Sequence, residues 1–472
     1  MKILFLTPEL AGYVKVGGLA DVSAALPKAL RERGSDARIL MPFYGAGADW
    51  QPSLDVVARL DGLAGLPPCM LATGNTRDGG PAYFIICPQL YERPGTPYTD
   101  VSRQDWPDND VRFARLALAA VQLTSGYANS DWRPDLIHAN DWPSALAAGY
   151  LRWRDIHVPC LFTVHNLAYQ GLFDASRLSA LGIPFAAFSI NGVEFHGRLS
   201  FMKAGLFYAG HVTTVSPTYA REITTVQFGS GLQGILATLA ASGRLTGILN
   251  GIGEDWSPER DGSLVANFPP RVKVGKARNA AWLRETAGLG PENRPLFVMI
   301  SRLVHQKGVD LALSGVETIV AGGGQFFLLG EGEPELENLA KETVAAFPGS
   351  AAAMIRFDET LSRRAIAASD FYLMPSRFEP CGLNQMYAER YGSLPIAHAT
   401  GGLVDSITDG ETGFLFAGAS PKDLREAIQR ALTVYIRPGR LAAMRKAAMS
   451  RDFGWGPAAA KFEQLYRGLL SR

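Results

Sequence analysis

The sequence contains little cysteine and almost no net charge. Its 472 residues include four cysteines, and no two of them form a CxxC pair. This spacing offers no zinc site and fits a reducing compartment. Lys and Arg (46) nearly balance Asp and Glu (45), and the resulting net charge of +1 argues against a general nucleic-acid or membrane-surface binder. A local basic pocket remains compatible with this balance.

Long apolar runs are also missing, and the first glycine-rich loop lacks a nucleotide-binding signature. No apolar run reaches the roughly 20 residues that a membrane span requires, and Met1 leads directly into "KILFLTPE" without a charged leader or cleavage site. We therefore expect a soluble, cytoplasmic protein with neither nucleic-acid nor membrane partners. The loop "YVKVGGLADV" (13–22) after the first predicted strand matches neither GxGxxG nor a P-loop, so a dinucleotide or Mg-ATP site is not supported there. The 50 glycines and 29 prolines are typical of a loop-rich globular enzyme.

Short apolar runs alternate with helical stretches along the chain, which predicts open, doubly wound α/β sheets. The pattern weakens in the Pro-, Gly- and Asp-rich stretch 250–275 and then restarts. We predict an N-terminal domain over 1–247, a C-terminal domain over 248–455 and a last helix over 456–472. The predicted strands are "KILFLT" (2–7), "ARILMP" (37–42), "AYFIIC" (82–87), "DLIHA" (135–139), "CLFTVH" (160–165), "HVTTVS" (211–216), "PLFVMIS" (295–301), "QFFLLG" (325–330), "AAMIRF" (352–357), "DFYLMP" (370–375) and "LPIAHA" (394–399).

Open parallel sheets bind ligands at the carboxyl ends of their strands, so polar residues at those ends are the candidates. The loop after the first strand, "YVKVGGLADV", contains Lys15, Gly17 and Gly18. The glycines permit close approach of a ligand to the backbone, and the lysine adds a positive charge. The same pattern also occurs as an ordinary structural turn.

Two further strands of the first half end in polar residues. Asp141 lies in "HANDWPSA", and His165 and Asn166 lie in "TVHNLAYQG". Taken singly, the aspartate could cap a helix and the histidine could be a structural, hydrogen-bonded one. Their repetition at successive strand ends favours one shared site.

The second half begins with a pair of cations at a strand end. Arg302 and Lys307 lie in "SRLVHQKG", where they suit a diphosphate, because Arg binds it bidentately and Lys acts as a point charge. A solvated surface is the plain alternative. The "DND" at 108–110 superficially matches a DxD metal motif, but we interpret it as a helix start and expect no metal site.

The stretch "SRFEPCGLNQ" (376–385) places an acid at another strand end. We predict that Glu379 reaches ligand hydroxyls and that Pro380 opens a helix, whose first residues, Cys381, Gly382 and Leu383, present free amides. An acid that only stabilises a helix N-terminus is the alternative.

Together these stretches resemble the bacterial glycogen synthase and plant starch synthase family. The matching segments are collinear and span almost the whole chain. They are "KVGGLADV", "HANDW", "TVHNLAYQG", "TTVSPTYAREI", "GILNGI", "SRLVHQKG", "SRFEPCGLNQMYAERYGSLP" and "TGGLVDSI".

The resemblance implies the GT-B architecture, in which two Rossmann-like domains face each other across a cleft and a C-terminal helix returns to the first. It also implies a retaining hexosyltransferase that transfers glucose from ADP-glucose to the non-reducing 4-OH of an α-1,4-glucan such as glycogen. No metal and no cofactor would be needed.

The resemblance also assigns roles to residues of the first half. Lys15 and the Gly17–Gly18 loop would meet the donor diphosphate and sugar. Asp141 would hold a glucose hydroxyl, and His165 and Asn166 would flank the sugar.

In the second half, Arg302 and Lys307 would neutralise the leaving diphosphate. Glu379 would contact glucose hydroxyls beside the amides of residues 381–383. Phe357, at the end of the predicted strand "AAMIRF", would stack on adenine, although periodicity alone favours a core residue there.

The chain departs from the family pattern at three places. Tyr387 stands where related retaining enzymes often have a second glutamate, so we assign it no acid/base role. "NGIGEDWSP" lacks the aspartate that usually follows "NGI", and Ala280 stands where a lysine is common. There are two rival hypotheses. One is a catalytically silent relative that binds glucan or primes its synthesis, and the other is an enzyme that uses UDP-glucose. The silent relative predicts loss of the charged candidates, and all of them are present.

Overall fold

The structure is a computed structural model that describes residues 1–45, 52–126, 132–269, 273–290 and 294–471. The chain forms two compact units. Unit 1 comprises Met1–Gly251 and Trp455–Arg472, and unit 2 comprises Ile252–Gly454. Of the helices in these described ranges, none combines the length and the apolar character that a membrane crossing requires.

Unit 1 is built on one nine-stranded sheet with a small antiparallel sheet beside it. In the large sheet the strand order is β12-β11-β7-β6-β1-β2-β5-β4-β3, and only β4 and β3 run antiparallel to their neighbours. The order reverses between β1 and β6, which makes this point the topological switch of the sheet. The strands are β1 (Lys2–Leu6), β2 (Asp36–Pro42), β3 (Asp55–Leu60), β4 (Cys69–Asn75), β5 (Pro81–Ile86), β6 (Leu136–Asn140), β7 (Cys160–Val164), β8 (Leu172–Asp174), β9 (Glu194–Phe195), β10 (Arg198–Ser200), β11 (His211–Thr214) and β12 (Leu245–Gly247).

Helices connect the parallel strands of unit 1. The central strands β6 and β7 are buried along their whole length, as expected when both faces of a parallel sheet are covered. The helix after "DND" begins at Asn109, which confirms that this motif is a helix start. The helices are α1 (Gly18–Glu32), α2 (Pro88–Tyr91), α3 (Asn109–Thr124), α4 (Leu146–Trp153), α5 (Phe201–Tyr208), α6 (Pro217–Glu222) and α7 (Gln233–Ala241).

Unit 2 contains a six-stranded, fully parallel sheet. Its strand order is β15-β14-β13-β16-β17-β18, which is the 3-2-1-4-5-6 order of the Rossmann fold, with the switch point between β13 and β16. The strands are β13 (Leu296–Ile300), β14 (Gln325–Leu329), β15 (Ala351–Met354), β16 (Phe371–Met374), β17 (Leu394–His398) and β18 (Phe414–Phe416). The helices are α8 (Lys273–Ala287), α9 (Val309–Ser314), α10 (Val316–Ala321), α11 (Pro334–Ala345), α12 (Glu359–Ala368), α13 (Asn384–Arg390), α14 (Gly401–Ser406), α15 (Pro421–Tyr435) and α16 (Pro438–Met449).

The last helix, α17 (Trp455–Leu470), packs on unit 1. The Tyr466 hydroxyl lies 2.7 Å from Nδ1 of the buried His138, whose Nε2 lies 2.6 Å from Thr163 Oγ1. Glu463 forms an ion pair with Arg33 at 3.1 Å. Buried polar contacts and apolar packing therefore attach this helix to the sheet of unit 1.

The predicted doubly wound α/β class is confirmed, and two local predictions are wrong. The antiparallel strands β3 and β4 were not predicted. Strand β15 ends at Met354, so Phe357 lies in the following loop. Helix α13 begins at Asn384 and not at Pro380, because Gly382 has a left-handed φ of 68°, which a right-handed helix cannot include.

Candidate functional site

The switch point of unit 2 brings Lys307 and Glu379 together. Lys307 follows β13, Glu379 follows β16, and these strands are neighbours in the sheet. Lys307 Nζ donates to Glu379 Oε2 at 2.6 Å, and Ser376 Oγ donates to the same oxygen at 3.0 Å. Glu379 is only 5% exposed, whereas the lysine side chain is about a fifth exposed. Glu379 is therefore a buried, paired carboxylate.

A second ion pair fixes the two loops that supply Lys307 and Glu379. Arg377 forms a bidentate pair with Asp310 at 2.8 and 2.7 Å, and it also donates to the carbonyl of His305 at 2.8 Å. The Arg377 N–H donates to the carbonyl of Gln306. Bidentate arginine pairs set geometry as well as energy, so the positions of both loops are linked.

Two glycines allow the close approach of backbone at this point. A Cβ on Gly308 (φ 65°) would lie 2.1 Å from the Pro375 carbonyl oxygen, and one on Gly401 (φ 46°) would lie 1.9 Å from the Glu379 carbonyl oxygen. Each distance is shorter than atoms tolerate, and each φ is left-handed, so both positions require glycine.

The other candidates of unit 2 are presented by loops. Arg302 is exposed, and within the described ranges it forms no ion pair. Phe357 is 75% exposed, so the alternative that places it in the core is wrong. The backbone N–H groups of Gly382 and Leu383 have no acceptor in the described parts of the chain. Cys381 is buried beside them.

The glycine-rich loop of unit 1 is held by a residue that the sequence did not single out. Glu9 Oε2 accepts hydrogen bonds from the N–H groups of Val16 (2.7 Å) and Gly17 (2.9 Å), and its Oε1 accepts from the Tyr98 hydroxyl at 2.5 Å. Glu9 is buried. It follows β1 directly, so the same search for polar residues at strand ends would have found it.

The three predicted residues of this loop differ in their surroundings. Lys15 is exposed and forms an ion pair with Asp21 at 2.8 Å. Gly17 has an extended backbone with φ −146°, and nothing lies within 4 Å of a Cβ built there. Gly18 is the first residue of α1. The backbone of Gly17 would accept any residue, so its lack of a side chain serves only to leave the adjacent space open.

Asp141 adopts a backbone conformation that is rare for a residue with a side chain. Its φ of 58° and ψ of 178° lie in a region occupied almost only by glycine. The Asp141 N–H donates to the Thr163 carbonyl at 2.8 Å, and its carbonyl accepts from the Ser144 N–H at 3.1 Å. Among the described residues the side chain makes no capping hydrogen bond, so the structure gives no support to the interpretation of Asp141 as a helix cap.

The Asp141 carboxyl is also electrostatically unusual. Its Oδ1 is buried and has no hydrogen-bond partner among the described residues. Burial raises the pKa of Asp141 to about 8, and the backbone N–H groups of Asn166, Trp142 and His165 oppose this rise. A carboxyl that ionises near neutral pH and has a free oxygen is suited to accept a hydrogen bond from a ligand hydroxyl.

The ring orientation of His165 is set by Asn140. Asn140 Nδ2 donates to the carbonyls of Leu6 and His138, so its Oδ1 faces His165 Nε2 at 3.0 Å. Because Oδ1 only accepts, His165 carries its proton on Nε2. Burial lowers the pKa of His165 to about 3, so the ring is neutral at pH 7. Asn166 Oδ1 accepts from the Ala168 N–H at 3.1 Å.

These contacts bring some candidates together and leave others apart. Hydrogen bonding or electrostatics links Lys307 with Glu379, and Asp141 with the backbone of residues 165–166. No hydrogen bond or ion pair in the described ranges joins Lys15 or Arg302 to the other candidates. Within the same ranges, no group of three or more His, Cys, Asp or Glu side chains is arranged to hold a metal ion.

Comparison with known proteins identifies the family. The family model for the starch synthase catalytic domain matches residues 2–238, and the one for glycosyl transferases group 1 matches residues 285–450. The glycogen synthase of Pseudomonas syringae pv. tomato is 49% identical over 471 residues, which cover 100% of this chain and 97% of that protein. Glycogen synthase 1 of Bradyrhizobium diazoefficiens is 49% identical over 459 residues, which cover 97% of this chain and 99% of that protein. The chain belongs to the glycogen synthase and starch synthase family.

Solved structures agree with this identification. The catalytic domain of starch synthase IV from Arabidopsis thaliana, bound to ADP and acarbose, is 33% identical, with a TM-score of 0.89 and coverage of 100% of this chain and 99% of that chain. Sucrose-phosphate synthase from Thermosynechococcus elongatus, 20% identical with a TM-score of 0.63 and the same coverage, shares the fold. The predicted family and the predicted GT-B fold class are confirmed, and the chain is a glycosyltransferase.

Two departures from the family pattern have a structural explanation in this glycosyltransferase. Tyr387 stacks on Trp256, with the two ring centroids 3.6 Å apart. The Arg363 guanidinium lies 4.0 Å from the ring centroid of the same Trp256. Tyr387 is therefore a packing residue. Ala280 is buried on α8, where Lys276, one helical turn earlier, donates to the carbonyls of Ala367 and Tyr391 at 3.0 Å each.

Proposed function

We propose that this protein is a glycogen synthase that transfers glucose from ADP-glucose to the non-reducing 4-OH of an α-1,4-glucan with retention of configuration. The observation that carries the proposal is the buried pair of Lys307 and Glu379 at the switch point of unit 2, beside the free N–H groups of Gly382 and Leu383. The likeness to a starch synthase bound to ADP and acarbose supports a nucleotide sugar and a glucan as substrates.

The charges at this switch point match those that develop during the reaction. Cleavage of the donor leaves a diphosphate anion and a sugar with cationic character. Preorganised donors and cations stabilise the first, and carboxylates stabilise the second. Arg302 and Lys307 neutralise the diphosphate, and Glu379 accepts from glucose hydroxyls beside the amides of residues 381–383. Phe357 offers an exposed aromatic face for adenine.

Unit 1 supplies the residues around the transferred sugar. The free Oδ1 of Asp141 accepts from a glucose hydroxyl. His165, neutral and protonated on Nε2, presents an unprotonated Nδ1 as an acceptor, and Asn166 flanks the sugar. Lys15 and the Gly17 loop approach the donor diphosphate. In this proposal the predicted domain 1–247 forms the acceptor side and 248–455 binds the nucleotide sugar.

The same proposal includes that the transfer reaction needs neither a metal ion nor a cofactor. None of the roles above requires a cation other than arginine and lysine, because these side chains already carry the charge that the diphosphate demands. A cytoplasmic location remains a prediction from the sequence.

The direct test supplies purified protein with glycogen and labelled ADP-glucose or labelled UDP-glucose. We expect label in the glucan from ADP-glucose, in α-1,4 linkage, with EDTA causing no loss. Faster incorporation from UDP-glucose would reassign the donor. Failure to transfer from either donor, in a protein that still binds glycogen, would favour the silent glucan-binding relative.

A matched pair of arginine variants tests the diphosphate clamp. Arg302→Ala should reduce turnover by about 10²–10³-fold, the usual loss for one preorganised donor. Arg430→Ala removes another partly exposed arginine of unit 2, which forms a surface ion pair with Asp409, and should leave turnover unchanged. Near-normal turnover of Arg302→Ala at saturating donor would contradict the assignment.

A further inference from the structure

Gln385, in the first turn of α13, holds the loop that precedes its helix. Its side chain is fully buried. Its Nε2 lies 3.1 Å from the carbonyl oxygen of Cys381, 2.9 Å from that of Gly382 and 3.0 Å from Ser406 Oγ. Ser406 in turn donates its proton to the Gly402 carbonyl at 2.6 Å, so its oxygen accepts from Gln385. Three acceptors thus share the two amide hydrogens of one glutamine.

The amide oxygen of Gln385 has no partner in the described parts of the chain, although it is buried. An unpartnered buried carbonyl lowers stability. Rotating the amide by 180° would not help, because the two backbone carbonyls need a donor. The fold therefore keeps an unfavourable oxygen in order to hold the carbonyls of Cys381 and Gly382. Such a local cost is typical of functional positions.

Holding these carbonyls also sets the direction of the next N–H groups. In a trans peptide the C=O and the N–H point in opposite directions. The carbonyl of Cys381 shares its peptide with the N–H of Gly382, and the carbonyl of Gly382 shares its peptide with the N–H of Leu383. Gln385 therefore turns both N–H groups away from itself.

The backbone conformation of the same two residues makes these N–H groups converge. Gly382 is left-handed (φ 68°) and Leu383 is right-handed (φ −116°, ψ −31°). Successive residues of opposite hand form a concave nest of N–H groups that binds anionic oxygens. Neither N–H has an acceptor within the described residues, and Glu379, the partner of Lys307, belongs to the same loop.

We propose that Gln385 is a positioning residue for donor binding: it fixes the peptides 381–383 so that the N–H groups of Gly382 and Leu383 face an oxygen of the nucleotide sugar. This inference rests on the proposed function. Gln385 touches no substrate in this proposal, because it acts from behind the loop.

The test replaces Gln385 by methionine, which keeps the size of the side chain and removes both donors. Gln325→Met is the matched control. Gln325 is a fully buried glutamine of the same unit whose Nε2 also donates to two backbone carbonyls, those of Gly290 and Gly349, and it lies outside the proposed donor site. Gln385→Asn, whose amide is one methylene shorter, provides a milder variant that is expected to fold even if the methionine variant does not.

We expect both methionine variants to melt earlier than the wild type. Misplacement of a binding group by about 1 Å can cost ~10²-fold, so only Gln385→Met should show a Kd for ADP and a KM for ADP-glucose raised at least about tenfold. The KM for glycogen should stay unchanged, and Gln385→Asn should fall between. Equal Kd and KM values in the Gln385 variants and Gln325→Met would overturn the inference. Absence of ADP binding and transfer in the wild type would instead overturn the proposed function.

Discussion

The backbone of Asp141 makes a prediction in which two variants lose activity alike but differ in stability. The change is Asp141→Gly, compared with Asp141→Ala. Both variants lack the carboxylate, so both should lose most of the turnover with ADP-glucose and glycogen. They differ in that alanine keeps a Cβ at φ 58°, ψ 178°, whereas glycine adopts this conformation without strain.

The expected size of the difference follows from two opposing contributions. A non-glycine residue in this region costs about 1–3 kcal/mol. Glycine gives back roughly 0.5–1 kcal/mol, because its unfolded chain has more conformational freedom. Asp141→Gly should therefore be more stable than Asp141→Ala by about 0.5–2 kcal/mol, which corresponds to a Tm difference of roughly 1–8 °C for a domain of this size.

The pH dependence of stability gives a second signature of the same residue. The pKa of Asp141 is raised from 3.8 to about 8 in the folded protein, so the folded state holds a proton that the unfolded state has released. The contribution of Asp141 is fully present below pH 4 and is lost as the pH rises towards 8. In both variants Asp141 is absent, so the Tm should fall less between pH 4 and pH 8 than it does in the wild type.

The assay is calorimetric melting of the three proteins over this pH range, combined with initial rates. The backbone is held from both sides, by Thr163 and by Ser144, so it cannot relax in the alanine variant. If Asp141→Gly melts no later than Asp141→Ala, the backbone strain is not real. If either variant retains normal turnover, Asp141 has no role in the reaction.

Three further variants test the remaining assignments. Glu379→Gln should lose turnover by about 10²–10³-fold and also melt earlier, because Lys307 loses its buried counter-charge. The double variant Glu379→Gln with Lys307→Met should regain stability but not activity. Normal turnover of Glu379→Gln would refute the role of the acid. Phe357→Ala should raise the KM for ADP-glucose without changing Tm, with Ile436→Ala, another exposed apolar residue of unit 2, as a control that changes neither. Glu9→Gln replaces two acceptor oxygens by one, so it should lower stability by about 1–3 kcal/mol and raise the same KM; an unchanged KM would leave Glu9 a purely structural residue.

The buried parallel strands could be predicted from the sequence because both of their faces are covered. A strand such as β16 (FYLM), with all residues buried, is a continuous apolar run that needs no partner to be recognised. The edge strand β3 has mostly exposed or half-exposed residues, so its pattern does not differ from that of a polar loop. The strand order also depends on contacts between distant segments, which a local pattern does not contain.

The positions of the candidate residues could be predicted, but their partners could not. The rule that polar residues follow buried strands located Asp141, His165 and Glu379. It gave no indication that Glu379 is paired with Lys307, because that contact joins two residues that lie 72 positions apart in the sequence. The same rule applied without exception would have included Glu9, which follows the first strand. Gln385 could not be found in this way, since it lies inside a helix and acts on the backbone.

The pairing of Lys307 also divides the work between the two cations of the proposed diphosphate site. Glu379, which also accepts a hydrogen bond from Ser376, holds Lys307 in a fixed position, and the carboxylate reduces the field that the lysine exerts at a distance. Arg302 is exposed and unpaired within the described chain, so its full charge is available to an approaching diphosphate. Arg302 is therefore suited to capture the donor and Lys307 to position it. If the proposed roles are correct, one contact places both the acid for the sugar and the cation for the diphosphate, so we expect a change in either residue to disturb both ends of the bond that breaks.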